Sequence, residues 1–310
     1  MNTTQLSPAR APARVREAQR FPIEVLLSLL AVYTIWGSTY LAIRLALVSL
    51  PPFFLMGTRF IAAGVSLFAF LRLRGAPNPT RREWLSSAVI GALMLGGGMG
   101  GVAFAEQWVS SSLAAALVAT APLWVAIMSS GLGQRPTRLE WIGIIIGFGG
   151  VILLNLEGDL RANPLGAAAM MLAPICWALG SVLSRRLSLP AGPIGTAAEM
   201  LMGGLVLMVM SQGRGEQVAS VTPGAFWAWF YLVTFGSLIA FSAYMHLIRT
   251  VRPALATSYA YVNPIVALLL GVALAGETIT GVGLLGIGVI LAGVVLITFL
   301  RQRAPEQAEG

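Results

Sequence analysis

One apolar segment carries polar and aromatic side chains next to a proline, in the run TSYAYVNP at residues 257–264. Proline lacks a backbone donor and pushes aside the carbonyl four residues back, here that of Ala260. In lipid, a freed carbonyl needs another partner or must face a water-filled cavity. The hydroxyl and amide groups of this run are therefore candidates for hydrogen bonds with a small molecule inside a membrane.

Helical spacing divides the side chains of this run between two faces. Thr257 and Tyr261 are four residues apart and share one face, whereas Tyr259 and Asn263 share another. Both faces cannot fully meet one cavity. The alternative is that these side chains form hydrogen bonds between helices and that Pro264 only kinks its helix. We expect the run to line a cavity.

Further aromatic and sulfur-containing side chains could complete an apolar wall around that molecule. Such walls suit amphipathic or aromatic molecules, whereas sugar phosphates need convergent arginine or lysine. The alternative is that these side chains face lipid or the membrane interface, where tryptophan and tyrosine are common. The predicted cavity residues are Trp36, Tyr40, Met94, Met99, Trp177, Tyr244, Tyr259, Tyr261 and Asn263.

A glycine run and two prolines mark the predicted moving parts. Residues 96–101 read GGGMGG, and each interior glycine weakens a helix by ~1 kcal/mol relative to alanine. The run could be a hinge, or it could let helices pack closely. We predict roles in helix kinking and gating for Gly97, Gly98, Pro122, Pro264 and His246.

The elements that hold these residues are predicted to be membrane spans. Of 310 residues, 57% are hydrophobic and 10% are charged, whereas soluble domains carry about 25% charge. The net charge of +8 comes from arginines, mostly in short loops, and does not indicate binding to nucleic acid. One cysteine, Cys176, and one histidine exclude an intrachain disulfide and a typical zinc site, so we expect neither metal nor cofactor.

Ten apolar runs are candidates for membrane helices. They lie at 23–46, 52–71, 84–106, 111–132, 139–156, 164–184, 193–211, 224–248, 253–275 and 280–300. Arginines cluster in alternate loops, whereas the other loops hold acidic residues with only Arg161 and Arg214. Because positive loops stay in the cytoplasm, both termini are predicted to be cytoplasmic. Residues 1–22 are predicted to be a disordered basic tail, and 301–310 a second tail.

The two halves of the chain repeat each other at 23–156 and 157–300. Pro122 recurs as Pro264 after 142 residues, and Gly96 recurs as Gly236 after 140. Each half holds five predicted helices, and an odd number inverts the second half relative to the first. The predicted fold is an all-α integral membrane protein with ten transmembrane helices, arranged as two inverted five-helix repeats around a central cavity.

Glycines seven residues apart recur in the fifth and tenth predicted helices, at Gly143 and Gly150 and at Gly286 and Gly293. Two helical turns place each pair on one face. Small residues let membrane helices approach closely. We therefore predict that these two helices pack together and hold the halves as one unit.

The motifs of both halves resemble the drug/metabolite transporter superfamily, in its ten-helix branch built from two EamA domains. The resembling residues are WGSTY at 36–40, Pro51 with Arg59, APLW at 121–124, NPI at 263–265 and GETIT at 276–280. The first motif is most similar to bacterial exporters of the YedA and YddG type. The resemblance implies an inner-membrane carrier of amino acids and related metabolites.

Charged residues inside a membrane are costly and usually mark a pair or a function. Arg59 and Glu199 occupy equivalent repeat positions near helix starts, so we expect them to reach the interface or a loop carbonyl. Glu106 and Glu277 fall near the outer ends of helices. Since no acid is placed confidently at mid-depth, we expect transport without strong proton coupling.

The sequence therefore predicts a monomeric carrier in the lipid bilayer that exports neutral and aromatic amino acids by alternating access. One alternative is a proton-coupled exporter of drugs or toxic metabolites, which would need a cavity carboxylate. A passive channel is another. An enzyme is not expected, because the sequence has neither a His-Glu-x-x-His nor a Gly-x-Ser-x-Gly motif.

Overall fold

The described part of the chain is helical, with no strand in these residues. The computed structural model describes residues 22–130, 138–154, 163–251 and 258–303. The helices are α1 Ile23–Ala46, α2 Pro52–Leu73, α3 Arg81–Ala105, α4a Ser111–Val118, α4b Ala121–Ser130, α5 Arg138–Leu154, α6 Pro164–Leu183, α7 Pro193–Gly213, α8 223–250, α9 Tyr259–Ala275 and α10 Gly281–Arg303.

By length and composition, seven helical segments in the described residues could each cross a membrane: α1, α2, α3, the segment Ser111–Met128 of α4a and α4b, α6, α7 and α8. Shorter apolar stretches lie in the other three, at Trp141–Leu153 in α5, Val262–Ala275 in α9 and Gly281–Leu296 in α10. The prediction of a helical membrane protein is therefore confirmed.

Local sequence signals start several of these helices. Prolines occupy the first position of α2, α6, α7 and α8, where a missing backbone donor costs nothing. The side chain of Thr80 accepts a hydrogen bond from the Glu83 amide, and the Glu83 carboxylate accepts one from the Thr80 amide. This capping box at the start of α3 satisfies two backbone donors that the helix leaves free.

In the described part of the chain, three helices contain π-helical segments, in which the backbone is wound more loosely than in an α-helix. They lie at Val32–Trp36 in α1, Ala92–Gly100 in α3 and Leu232–Ile239 in α8. The α3 and α8 segments begin 140 residues apart, the same offset that relates Gly96 to Gly236. Segments of this kind occur often at functional sites.

The two prolines of the repeat act differently. The fourth helix breaks before Pro122, since α4a ends at Val118 and α4b begins at Ala121. The Thr120 hydroxyl donates a hydrogen bond to the Leu117 carbonyl at 2.6 Å within this break. The ninth helix continues through Pro264, which lies in its second turn.

Each helix packs against partners that the repeat relates to one another. The most extensive pairings are α2 with α7 and α5 with α10. Further pairings join α1 to α8 and α9, and α6 to α3 and α4b. One buried cluster lies around α4a, with Val102, Leu117, Met170 and Ile290 among its members. A second lies around α2 and α7. A third, smaller cluster joins α1 to the end of α8, so the described residues form three packed clusters.

The glycine seam between α5 and α10 is confirmed as a close contact. A Cβ atom on Gly150 would lie 2.7 Å from the Gly286 carbonyl oxygen, and one on Gly293 would lie 2.6 Å from the Gly143 carbonyl oxygen. Both obstacles are backbone atoms, which cannot move aside as a flexible side chain can. The seam therefore depends on glycine.

Replacing Gly150 with alanine should destabilise the protein, because the new methyl group overlaps the α10 backbone. We expect a loss of about 1–3 kcal/mol, the usual cost of overpacking. Thermal unfolding of the detergent-purified protein measures this loss. Gly149→Ala is the matched control, since a Cβ atom at Gly149 would meet nothing within 4 Å. Equal melting temperatures for the two variants would contradict the seam.

Candidate functional site

Three of the predicted cavity residues form one aromatic cluster where α1, α8 and α9 meet. The ring of Trp36 lies 5.2 Å from that of Tyr244 and 5.0 Å from that of Tyr259, between centroids. The Tyr244 and Tyr259 rings are 5.7 Å apart and perpendicular. Edge-to-face contacts of this kind favour a fixed arrangement of rings. The structure therefore brings together aromatic residues that lie far apart in the sequence.

A hydrogen bond fixes Trp36 within this cluster. Its Nε1 atom donates to the carbonyl oxygen of Gly236 at 3.0 Å. Gly236 lies inside the π-helical segment of α8, where the looser winding changes the backbone pairing. The bond therefore links the first half of the chain to the middle of α8, the helix that also carries Tyr244.

An apolar layer closes the cluster on the side of the α1 N-terminus. Val25, Leu29 and Val32 of α1 pack with Leu247 of α8, and the three aromatic residues contact this layer. The hydroxyls of Tyr33 and Ser258 form a 2.5 Å hydrogen bond beside it. This packing joins the start of α1 to the end of α8 and the start of α9.

Asn263 is the polar residue of the ninth helix whose surroundings are informative. Its side chain is buried, and among the described residues its Oδ1 atom has no hydrogen-bond donor. Tyr259 and Asn263 share a helix face, so the face that carries the aromatic cluster also carries an unsatisfied acceptor. Thr257 and the side chain of Tyr261 lie outside the described part of the structure.

A second group of predicted residues lies between α3 and α6. A Cβ atom on Gly180 would overlap the Met94 side chain, one on Gly97 would lie 2.8 Å from the Cys176 sulfur, and one on Gly98 would lie 3.4 Å from the Trp177 ring. The glycine run therefore serves close packing, and it does so within a π-helical segment.

The remaining predicted residues lie in neither group of contacts. Met99 packs against the core around α2 and α7, and Tyr40 packs against the core around α4a. His246 follows Tyr244 by two residues in α8, and its buried Nε2 atom has no hydrogen-bond partner among the described residues. Pro122 stands at the break of the fourth helix.

A carboxylate from the second half binds the start of α4a in the first half. The Glu277 side chain accepts hydrogen bonds from the amide and hydroxyl of Ser111, at 2.8 and 2.7 Å. It accepts two more from Ser112, at 3.2 and 2.5 Å. Arg44 of α1 pairs with the same carboxylate at 3.0 Å. Glu277 is thus a helix cap supplied by another part of the chain.

The environment of Glu277, in the loop between α9 and α10, favours its charged form. Burial by itself raises the pKa of this carboxyl, but the hydrogen bonds from Ser112 and Ser111 outweigh that effect and lower the pKa below its ordinary value. The sequence placed Glu277 near the outer end of its helix but gave no partner for it. The serines at 110–112, at the start of a helix, were the available signal.

Glu106, one residue beyond the end of α3, has the opposite environment. It is buried, and neither carboxyl oxygen has a hydrogen-bond partner in the described structure. Burial and the neighbouring Glu277 carboxylate raise its pKa well above the ordinary value, and Arg44 only partly offsets this. Tyr40 is another electrostatic neighbour. This environment favours the protonated form of Glu106 more than water would.

The expectation that Arg59 reaches the interface or a loop carbonyl is wrong. Its side chain is only 2% exposed. Its Nε atom donates to the Ser237 hydroxyl at 3.0 Å, in the middle of α8. The guanidinium reaches α8 because α2 packs against the π-helical segment of that helix. Neighbouring helices, which the sequence does not show, decided this placement.

A cavity of about 360 Å³ lies away from these residues. Its walls come from the loop at 47–52, the residues that follow α3 and the loop after α7, including Gln107, Arg214 and Glu216. It does not contact the aromatic cluster. None of the predicted residues lines this cavity, so the candidate site is the group of buried polar and aromatic residues around Trp36.

Comparison with known proteins assigns the family. A model of the EamA-like transporter family matches residues 23–156 and 164–299. The chain belongs to the EamA-like transporter family. The resemblance inferred from the WGSTY, APLW and NPI motifs is confirmed by this match, which covers both halves of the chain. The chain is therefore a membrane transporter of the EamA type.

Relatives and one solved structure agree with this family. The chain is 50% identical over 253 residues to YedA of Escherichia coli K12, named an uncharacterized inner membrane transporter, covering 81% of this chain and 83% of YedA. It is 25% identical over 259 residues to the transporter YoaV of Bacillus subtilis, covering 80% and 88%. A crystal structure that is 20% identical covers 90% of this chain and 99% of its own, with a TM-score of 0.64. That last similarity concerns the fold alone.

Replacing Glu277 with glutamine should destabilise this EamA-type transporter at neutral pH, because the ion pair with Arg44 is lost and the cap of α4a weakens. Because folding lowers the pKa of Glu277, the charged carboxylate stabilises the wild type fully at pH values above the ordinary pKa of glutamate. The stability difference between the wild type and Glu277→Gln should shrink as the pH falls through the lowered pKa of the folded state. Thermal unfolding across a pH series measures both effects.

Glu24→Gln is the control for that series, because Glu24 is exposed at the start of α1. It should leave the melting temperature nearly unchanged at every pH. A Glu277→Gln variant as stable as the wild type at pH 7, or a difference that does not depend on pH, would contradict the role of the carboxylate.

Proposed function

We propose that this transporter is an inner-membrane carrier that exports neutral and aromatic amino acids, with broad specificity. The observation that carries the proposal is the cluster of Trp36, Tyr244 and Tyr259 beside the unsatisfied Asn263 side chain. Aromatic walls with few polar groups suit amphipathic molecules. The name of YedA as an inner membrane transporter supports the location.

The proposed topology has ten spans in two inverted repeats, with both termini in the cytoplasm. The three shorter apolar helices α5, α9 and α10 supply the spans beyond the seven longer ones. The packing supports a pseudo-two-fold axis, since α2 packs on its counterpart α7 and α5 on its counterpart α10. The pairs α1–α8 and α6–α3 are also related by this axis. An axis in the membrane plane places a site between the halves.

The proposed mechanism is alternating access between two contact regions on α1. Near its end, Arg44 pairs with Glu277. Near its start, Val25, Leu29 and Val32 pack on Leu247. Opening one region while the other stays closed would expose the aromatic cluster to one side of the membrane at a time. The α5–α10 seam holds the halves together during this motion, and a single chain suffices.

Transport of labelled phenylalanine, threonine and methionine by purified protein in liposomes tests the amino-acid proposal. We expect saturable uptake that unlabelled substrate on the opposite side accelerates, because a carrier returns faster when loaded. Asn263→Leu should lower this exchange, whereas Leu269→Ala, at an exposed position of α9, should not. No exchange of any of the three compounds would end the amino-acid claim, and unsaturable flux would indicate a channel.

A second candidate is a proton-coupled exporter of cationic drugs or toxic metabolites. Its specific support is Glu106, a buried carboxyl without a hydrogen-bond partner in the described structure. The charged and titratable groups around it are Tyr40 and Arg44 of α1 and Glu277 before α10. A proton held there could exchange with a cation when the site opens to water, as coupled carriers require.

A pH gradient across the liposome membrane separates the two candidates. Uncoupled exchange of a zwitterion should not respond to the gradient, whereas a proton-coupled exporter should accumulate a cationic substrate against it. In the coupled case, Glu106→Gln should abolish gradient-driven accumulation and leave exchange at equal pH. Glu24→Gln serves as the control. Accumulation that persists in Glu106→Gln would remove Glu106 from the coupling.

A further inference from the structure

Arg59 is a buried cation whose partners in the described structure are all uncharged. Its Nε atom donates to the Ser237 hydroxyl at 3.0 Å, and its Nη1 atom contacts the Met56 sulfur at 3.8 Å. The guanidinium carbon lies 5.0 Å from the centre of the Phe60 ring. A hydroxyl, a thioether and an aromatic ring carry no negative charge. Among the described residues, no carboxylate accepts from Arg59.

Such an arrangement is costly unless something else neutralises it. Buried charges are normally paired, because moving an ion out of water costs on the order of several kcal/mol. The attraction of a well-placed partner of opposite charge offsets this cost. A guanidinium carries five N–H donors, and a thioether is a weak acceptor. Arg59 thus has unused donors at a place where the protein supplies no counter-ion in its described part.

The position of Arg59 ties it to the candidate site. A Cβ atom on Gly236 would lie 3.1 Å from both the Arg59 Nη2 atom and the Thr39 methyl group. The carbonyl of the same Gly236 accepts the hydrogen bond from the Trp36 ring. The guanidinium and Trp36 of the aromatic cluster therefore both lie next to Gly236, in the π-helical segment of α8.

The absence of a side chain at Gly236 lets the guanidinium lie close to the α8 backbone. Any larger residue would press against the guanidinium, whereas glycine lets α8 and Arg59 approach each other. Ser237, the next residue of α8, accepts from Nε, and the terminal nitrogens of Arg59 have no anionic partner among the described residues. A planar anion could replace the thioether contact, with the guanidinium fork donating two parallel hydrogen bonds.

We propose that Arg59 is the binding group for the carboxylate of the transported substrate, with Ser237 positioning the guanidinium. The substrate's apolar part would then contact Trp36 and Tyr259. The inference rests on the proposed function, which it deepens by making a carboxylate the feature that is recognised. It follows that amines and amides of the same shape are poor ligands.

The probes for the test are 3-phenylpropanoate and its neutral isostere 3-phenylpropanamide. Each is added to the detergent-purified wild-type protein, and the rise in melting temperature gives its apparent affinity. The carboxylate should bind at least about tenfold more tightly than the amide. Hydrogen bonds to a charged group contribute about 1.5–3 kcal/mol, and this converts to roughly 10- to 100-fold in affinity.

Variants then assign the preference to Arg59. Arg59→Gln should weaken carboxylate binding by about 10- to 100-fold and leave amide binding nearly unchanged, which a purely structural role would not do. Arg59→Lys should bind the carboxylate with an affinity between those of the wild type and Arg59→Gln, because lysine keeps the charge but not the planar fork. Arg186→Gln removes an exposed arginine from the loop after α6 and should bind like the wild type.

Equal binding of the two probes to the wild type, or no binding of either, overturns the proposal. So does an equal loss for both probes in Arg59→Gln. If Arg59→Gln does not fold, the wild-type preference for the carboxylate and the intermediate result for Arg59→Lys decide the question. Carboxylate binding that depends on Arg59, in a protein that exchanges no amino acid, would keep this site and reject only the amino-acid claim.

Discussion

The structure depends on one constraint: inside a membrane, polar and charged groups must find partners within the protein. The Glu277 carboxylate meets it most completely, since it binds two amides, two hydroxyls and the Arg44 guanidinium. Those contacts hold the start of α4a against α1 and the loop before α10. The two halves of the chain are therefore fastened by a group that neither half could satisfy alone.

Departures from that constraint identify the parts of the molecule that are available for function. Asn263 and Glu106 each present buried oxygen atoms without a donor in the described structure, and Arg59 presents donors without an anion. In a protein that is otherwise well packed, such groups are expected at binding sites and proton sites. They lie around α1, the helix that contacts α8, α9 and α4a.

The sequence indicated which residue types could form a site, but not how those residues are grouped. Trp36, Tyr244 and Tyr259 do form one cluster, whereas Met99 and Tyr40 pack into the cores on either side. Helical spacing gives the face on which a residue lies but not the helix that this face meets. The π-helical segments add to the difficulty, because looser winding shifts every following side chain around the axis.

By itself, the sequence determined the membrane class, the family and the glycine seam, because composition, motifs and seven-residue spacing are local properties. Only the tertiary structure decided the environments of the charged residues. The sequence placed Arg59 near a helix start and so near water, yet α8 packs over it and buries it. Glu106 and Glu277 look alike in the sequence. Among the described residues, however, Glu106 has no hydrogen-bond partner, whereas Glu277 accepts four hydrogen bonds from Ser111 and Ser112. The difference arises from which helix ends meet, and this depends on packing between distant parts of the chain.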